Sequence, residues 1–320
     1  MKLCVLSDLC LDITRYGLST RTSPESESCV ILNEVTRETT LGMGGNVAAW
    51  LGAVKDFAVT LATQDVSDRD ARTFHRLCEK AKLQAFLPPM GILGATTIKE
   101  RLCLVDEEMT WVQHLARVDR DPRKPLSRDE RDAFLEHLSN NDYDGIVVAD
   151  YGKGLFQERY GEHLKEELSH FFFSRNVRSV VNSKYPQGWA NCFCDVFICN
   201  DREIKDAWPD LRAQQKLPFS HARHVIITCG DQGAYAFRKV GTGYSNGYHA
   251  RALAMKAVDV CGAGDAFTAG VAYEIMRREA FFGPNAPEET VFDLDQLLVA
   301  ASLWAAHCVG QVGCGIPIGG

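Results

Sequence analysis

A three-layer α/β fold, in which a mostly parallel sheet is covered by helices on both faces, is what three features of the sequence predict. Short β-rich runs alternate with helical patterns; those runs are continuously apolar rather than alternating; and 320 residues exceed one ordinary domain, which suits one large α/β unit with an insert. Continuous apolar strands belong in a sheet buried on both faces, and the intervening helices supply the crossovers that parallel pairing requires.

Core strands are expected at Leu3–Ser7, Ala58–Ala62, Gly145–Ala149, Ser179–Asn182, Val196–Cys199 and Val225–Thr228. Helical patterns fall at residues 45–56, 68–83, 127–140, 158–173, 264–280 and 293–309. Two segments break the rhythm: CVILNEVTRETTLG (28–41) and ATTIKERLCLVDEEMTWVQHLARV (95–118) are β-branched and alternate with polar residues. They read as antiparallel hairpins forming a small sheet outside the core, a β lid or a dimerisation surface. The expected organisation is a single domain over 1–320, with lid inserts at about 13–41 and 92–118. DPRKPLSRDERD (121–132) is the expected loop back to the core.

Composition narrows the partners. Thirty-five basic against 42 acidic residues leave a formal charge of -7, so nothing draws the chain to a nucleic-acid backbone or an anionic membrane. Small anions remain open to it, because a helix N-terminus and a few cations hold a phosphate on an acidic protein. The twelve cysteines are scattered, several in apolar strand contexts, and are expected to be reduced thiols acting as small hydrophobes. The cluster Cys192, Cys194 and Cys199 lacks a second pair at zinc-like spacing. The N-terminus meets Asp8 too early for a secretory leader, and LLVAASLWAAHCVG is shorter than the ~20 residues that span a bilayer, so a cytoplasmic location is expected.

The most informative segment is AVDVCGAGDAFTAGVAYEI (257–275). Gly262, Ala263 and Gly264 precede a helical run, so their N–H groups can project together where the helix dipole favours anions, and small residues let a phosphate approach the backbone. Asp265 stands in the first turn, placed to take a proton from an attacking hydroxyl. That suits phosphoryl transfer, in which the protein chiefly positions groups and stabilises charge. Alone, GAGD is equally a glycine turn with an Asp cap.

The pattern Asp-Val-x-Gly-Ala-Gly-Asp-x-x-x-Ala-Gly (259–270) resembles the C-terminal signature of the ribokinase-like (PfkB) carbohydrate kinases. LGMGGNVAAWLGA (41–53) is similar to that family's N-terminal Gly-Gly-x-x-Asn-x-Ala motif, although Leu41 replaces a small residue and Met43 interrupts the glycines. The resemblance implies that Gly44, Gly45 and Asn46 shape a sugar site. CNDRE (199–203) is similar to the Asn-x-x-Glu motif, which implies that Asn200 and Glu203 organise Mg²⁺ and its waters around ATP. From the residues alone the pair is instead a helix cap. TCGDQGA (228–234) matches a strand followed by a nucleotide-edge loop with Thr228, Gly230 and Gly233; alone it is equally an ordinary glycine turn. The resemblance further implies a monovalent cation such as K⁺ at Asp259.

Within the family, four stretches resemble the heptose-7-phosphate kinases, the kinase domain of the heptose biosynthesis proteins. They are SDLCLDITRYGLSTRTSPESE (7–27), with Ser7 in place of glycine, then TTIKER (96–101), LARVD (115–119) and VVADYGKG (147–154). In VVNSKYP, Asn182 replaces the usual Asp, while Lys184 lies near the expected ATP-contacting lysine. A substrate already carrying a phosphate needs cations, and Lys99, Arg101, Arg117 and Lys153 lie on or beside the expected lid. Their alternative is solvated surface charge. Asp8 and Asp12, near the end of the first strand, are candidates to accept sugar hydroxyls, or else cap a loop.

The resemblance therefore implies an ATP- and Mg²⁺-dependent kinase of D-glycero-D-manno-heptose 7-phosphate at its C1 hydroxyl, dimeric through the lid. No His-x-Gly-His motif is present, so nucleotidyl transfer would require another chain. The alternatives are a kinase of the same family acting on another sugar, sugar phosphate or nucleoside, and a non-catalytic sugar-binding regulator. A dinucleotide oxidoreductase is disfavoured, because no Gly-x-Gly-x-x-Gly follows the first strand.

Overall fold

The computed structural model describes residues 1–19, 21–64, 68–88, 96–122, 125–207, 217–245, 247–253, 256–283 and 286–313. Each of the six expected core strands lies in one sheet: β1 (Lys2–Ser7), β6 (Ala58–Thr63), β10 (Gly145–Asp150), β11 (Arg178–Ser183), β12 (Cys194–Asn200) and β13 (Ala222–Thr228). They run parallel in the order β13-β12-β11-β10-β1-β6, and β7 (Leu83–Phe86) extends the β6 edge. At the other edge three strands that the sequence reading missed turn antiparallel: β14 (Ala234–Val240), β15 (Gly243–Tyr244) and β16 (Tyr248–Ala250). They are short or half-polar, without the apolar run that marks a central strand.

Helices cover both faces. On one lie α1 (Gly44–Gly52), α2 (Asp68–Lys80), α6 (Ala263–Phe282), α7 (Glu288–Val291) and α8 (Leu294–Val309). On the other lie α3 (Arg128–Ser139) and α4 (Glu158–Arg175), while the short α5 (Asp201–Ala207) follows β12. Local chemistry fixes the starts of these helices. Ser127 and Glu130 form a reciprocal capping box on α3, and Asp293 accepts from the Gln296 N–H to open α8. Packing then holds them: α6 approaches α8 so closely that a Cβ at Gly270 would lie 2.8 Å from the Ala301 Cα. Fully buried side chains such as Leu297 and Phe292 each contribute about 1.5–3 kcal/mol.

The small sheet stands apart, in the order β5-β2-β8-β9, built from β2 (Leu9–Leu18), β5 (Asn33–Met43), β8 (Thr97–Val105) and β9 (Val112–Arg120). Its strand division differs from the sequence reading. β5 pairs antiparallel with β2 over most of its length, so the first element of this sheet begins at Leu9, and residues 28–41 are not a hairpin by themselves. A two-stranded ribbon, β3 (Thr22–Ser23) with β4 (Ser26–Val30), lies between them. Residues 92–95 of the second expected insert lie outside the described residues.

Eleven cysteines are described and all are free thiols; Cys192, Cys194 and Cys199 are buried in the core. Among the described residues no helix is long and apolar enough to cross a membrane.

Candidate active site

The carboxyl ends of the parallel strands converge on one edge, where ligands gather in open α/β sheets. Register sets Asp150 beside Ser183, Asn200 beside Thr228, and Ser7 between Ala149 and Thr63. Over this edge stands the start of α6. Gly262 caps it at φ 78°, a left-handed conformation that favours glycine, and the Ala263 N–H donates to the Val260 carbonyl at 3.5 Å. The first-turn N–H groups have no acceptor within the helix. A Cβ at Gly264 would meet nothing within 4 Å, so the cradle is open where an anion would sit.

Asp265, in that first turn, is held from two sides. Asn46 Nδ2 donates to Oδ2 at 3.0 Å, and the Tyr151 hydroxyl donates to Oδ1. Burial raises the Asp265 carboxyl above the ordinary range, as does Asp12, against the lowering influence of Tyr151, Asn46 and Lys184. Burial and Asp265 together push the Tyr151 phenol well above its usual value. Lys184 and Lys99 lie over the Tyr151 ring, 5.1 and 5.9 Å from its centroid. Burial and the neighbouring Lys99 lower the Lys184 ammonium. Asn182 Nδ2 donates to Thr268 Oγ1 at 2.6 Å and ties the first turns of α6 to β11.

The N-terminal glycines are sites of close packing. Gly44 and Gly45 are buried: a Cβ at Gly44 would lie 2.1 Å from Ser7 Oγ, and one at Gly45 would lie 2.7 Å from the Leu41 Cβ. Gly44 N donates to Ser7 Oγ, which itself donates to the Ala149 carbonyl. Gly44 lets α1 press on β1 and Gly45 lets it press on β5, while Asn46 reaches Asp265. Met43, before them, carries φ 55°, a left-handed backbone that is uncommon outside glycine.

Asp8 requires a correction. It is fully buried, and its oxygens accept from the Tyr151, Lys153 and Leu155 N–H groups at 2.9, 3.2 and 3.0 Å. Its carboxylate organises the 151–155 loop instead of facing a sugar, although burial and nearby Asp150 push it up to about 7. Asp12 does face the site region, beside Lys99 in register, with Arg101 Nη1 at 3.3 Å from Oδ1. The other expected cations have partners too: Lys153 pairs with Asp121, and Arg117 with Asp119 at 2.8 Å. Lys99 takes part in no ion pair among the described residues.

Where β12 meets α5, Asn200 Oδ1 accepts from the Arg202 and Glu203 N–H groups, and Glu203 Oε2 accepts from Asn200 N at 2.7 Å. This is the reciprocal cap that the residues alone suggested. Burial raises the Glu203 carboxyl. One partly engaged carboxylate suits Mg²⁺ held through water, since that ion keeps several waters and seldom occupies an all-protein cage. Thr228 ends β13 opposite Asn200, and Gly230 opens the following turn at φ 59°. Gly233 is required by close approach, since its Cβ would lie 2.0 Å from the Ala250 carbonyl oxygen.

Asp259 has neighbours from two elements: its carboxylate faces His114 Nε2 at 3.2 Å and lies with the Cys261 thiol. Sequence reasoning gave no role to Tyr151, Asp121 or His114. Tyr151 had a signal, a hydroxyl between Asp150 and Gly152 at the end of a core strand; His114 and Asp121 had none.

An open helix start with a carboxylate held from two sides at the strand ends can receive an anion and take up a proton beside it. The family comparison agrees. Residues 125–318 match the model described as "pfkB family carbohydrate kinase", and the chain belongs to that family. Among curated relatives, the "Bifunctional protein HldE" of Nitratiruptor sp. is 25% identical over 98% of this chain and 62% of its own length. That of Wolinella succinogenes is 24% identical over 97% of this chain and 61% of its own. The chain thus spans about three-fifths of the length of these relatives. Ribokinase from Giardia lamblia superposes with TM-score 0.70 at 14% identity, covering 99% of this chain and 96% of that one. Phosphofructokinase-2 from Escherichia coli gives 0.67 at 15% identity, covering 99% and 97%. At such identities the likeness establishes the ribokinase-like fold.

Proposed function

We propose that the chain is an ATP-dependent sugar kinase transferring the γ-phosphoryl group of ATP to the C1 hydroxyl of D-glycero-D-manno-heptose 7-phosphate, giving the 1,7-bisphosphate. The observation that carries this reading is Asp265, held by Asn46 and Tyr151 at the open start of α6.

The sugar hydroxyl displaces one donor from Asp265 and passes its proton to that carboxylate while its oxygen bonds to the γ-phosphorus. The bond to the bridging oxygen breaks, and its electron pair leaves with ADP. N–H groups of residues 262–265 hold the charge of the transferring group. Asn46 Oδ1, buried without a hydrogen-bond partner among the described residues, is an acceptor ready for a second sugar hydroxyl. Asn200 and Glu203 would hold Mg²⁺ through water, and the bound ion would neutralise phosphate charge. The small sheet serves as a lid that excludes water, so that hydrolysis does not compete with transfer. Lys99 is the cation most open to the distal phosphate, while Arg101, Arg117 and Lys153 would share it with their partners Asp12, Asp119 and Asp121.

The four-stranded sheet leaves β5 and β9 as open edges carrying exposed Val35 and Val118, which supports pairing of two lids in a homodimer. Nucleotide-heptose precursor synthesis, feeding a lipopolysaccharide core, is the corresponding role, in the cytoplasm.

One observation favours a second reading, a kinase for an unphosphorylated sugar: Arg101 is already neutralised by Asp12. ADP release measured with heptose 7-phosphate, heptose, ribose and fructose 6-phosphate separates the two. The first reading expects kcat/KM for heptose 7-phosphate to exceed the others by at least about 100-fold, and Arg101→Ala to raise KM for phosphorylated sugars alone. Equal turnover of heptose would establish the second, and no ADP from any acceptor would make the chain a binding protein.

A further inference from the structure

His114, Asp259 and Cys261 come from two parts of the chain, β9 and the loop leading into α6, yet one ligand atom from each lies within 4.8 Å of the other two. Among the described residues no other trio of histidine, cysteine and acidic side chains is so placed. We propose that they form a binding site for a transition-metal cation of the Zn²⁺ class, tying the small sheet to the α6 loop.

The donor set decides the class of ion. Imidazole, thiolate and one carboxylate are a borderline-soft combination that suits Zn²⁺ or Co²⁺, while Mg²⁺ and alkali cations require oxygens. The spacing agrees. With Zn–N and Zn–O bonds of about 2.0–2.2 Å and Zn–S of about 2.3 Å, neighbouring donors in a tetrahedron lie roughly 3.3–3.8 Å apart. His114 Nε2 is 3.2 Å from Asp259 Oδ1 and 3.9 Å from Cys261 Sγ, so each pair needs to move only a few tenths of an ångström. Three protein ligands leave the fourth position to water.

The surroundings orient these donors. Cys103, opposite His114 across β8 and β9, sets its sulfur 3.4 Å from His114 Nδ1, which leaves Nε2 directed at Asp259. Gly313 N donates to Asp259 Oδ2, and Cys261 N to Oδ1, at 3.2 and 2.9 Å. Such outer contacts fix ligand orientation in metal sites. Asp259 is nearly enclosed, whereas 38% of the His114 side chain is exposed, which gives an ion access from solvent. On binding, the Cys261 thiol proton leaves to water.

The test is a cobalt titration of the reduced, metal-stripped full chain, read by absorption, which requires no turnover and so stands or falls apart from the kinase reading. The expected result is a thiolate-to-metal charge-transfer band with tetrahedral d–d bands that saturate at one equivalent and bleach on adding Zn²⁺. Cys261→Ser should abolish the charge-transfer band, and His114→Ala should weaken Co²⁺ binding at least about tenfold. Cys29→Ser, at an exposed thiol in β4, should change neither. Circular dichroism of each variant confirms that it folds, and His114→Gln serves in place of the alanine variant if that one does not. No band in the folded wild type, or a band surviving Cys261→Ser, overturns the proposal.

Discussion

Two helices begin on glycines beside the same sheet edge, yet they present opposite surfaces. At α1, Gly44 and Gly45 are buried, and a Cβ on Gly44 would collide with Ser7 Oγ at 2.1 Å. At α6, Gly262 turns the chain at φ 78°, and a Cβ on Gly264 would touch nothing within 4 Å. Both starts carry a residue at positive φ, Met43 in one and Gly262 in the other. A glycine cluster before a helix therefore has two physical meanings. One lets backbones meet; the other leaves room for a ligand. The two starts also cooperate, because Asn46 of α1 donates to Asp265 of α6.

Alanine at each glycine should separate these meanings most sharply. Gly264→Ala should leave thermal unfolding unchanged or slightly raised, because its Cβ meets no protein atom, yet lower turnover on the order of 100-fold by displacing the phosphate. Gly44→Ala should do the reverse, costing about 1–3 kcal/mol in denaturant unfolding as α1 is forced off β1. An unfolding midpoint for Gly44→Ala equal to wild type would remove the packing role.

Tyr151→Phe should have a smaller effect, about tenfold on kcat, with a distinctive pH dependence. Asp265 must be ionised to accept a proton, so activity falls as pH drops through its folded-state pKa, which burial has raised. The Tyr151 hydroxyl stabilises the ionised form and lowers that pKa. Its removal should move the acidic limb of the kcat profile to higher pH, and a limb that stays in place would show that Tyr151 does not tune the base. Smallest of all, Lys153→Ala should alter KM only a few-fold, since Asp121 already pairs with this lysine.

The contrast between the helix starts also marks how far the sequence could be read. The six core strands were legible because a strand buried on both faces is apolar throughout, and the long helices because their patterns last three turns or more. The glycine-capped start of α6 at Gly262–Asp265 was legible because it is written in one short, contiguous stretch of chain. The lid strands were only half legible. Their alternation was visible, but pairing Leu9–Leu18 with Asn33–Met43 is a long-range choice of register that neither segment encodes alone. The same applies to Tyr151 on Asp265 and His114 on Asp259, contacts spanning 114 and 145 residues. Asp8 was misassigned for a related reason: its place at the strand end was correct, but the three N–H groups consuming it belong to residues 151–155.

The most direct test of the α6 start as the phosphoryl-transfer centre is ADP release by Asp265→Asn with heptose 7-phosphate and ATP, alongside its thermal unfolding and ATP affinity. Asparagine keeps the shape but cannot take the hydroxyl proton. Folding and ATP binding should remain near wild type while kcat falls by about 10²–10⁴. A folded Asp265→Asn variant with near-native kcat would contradict the assignment of Asp265 as the base.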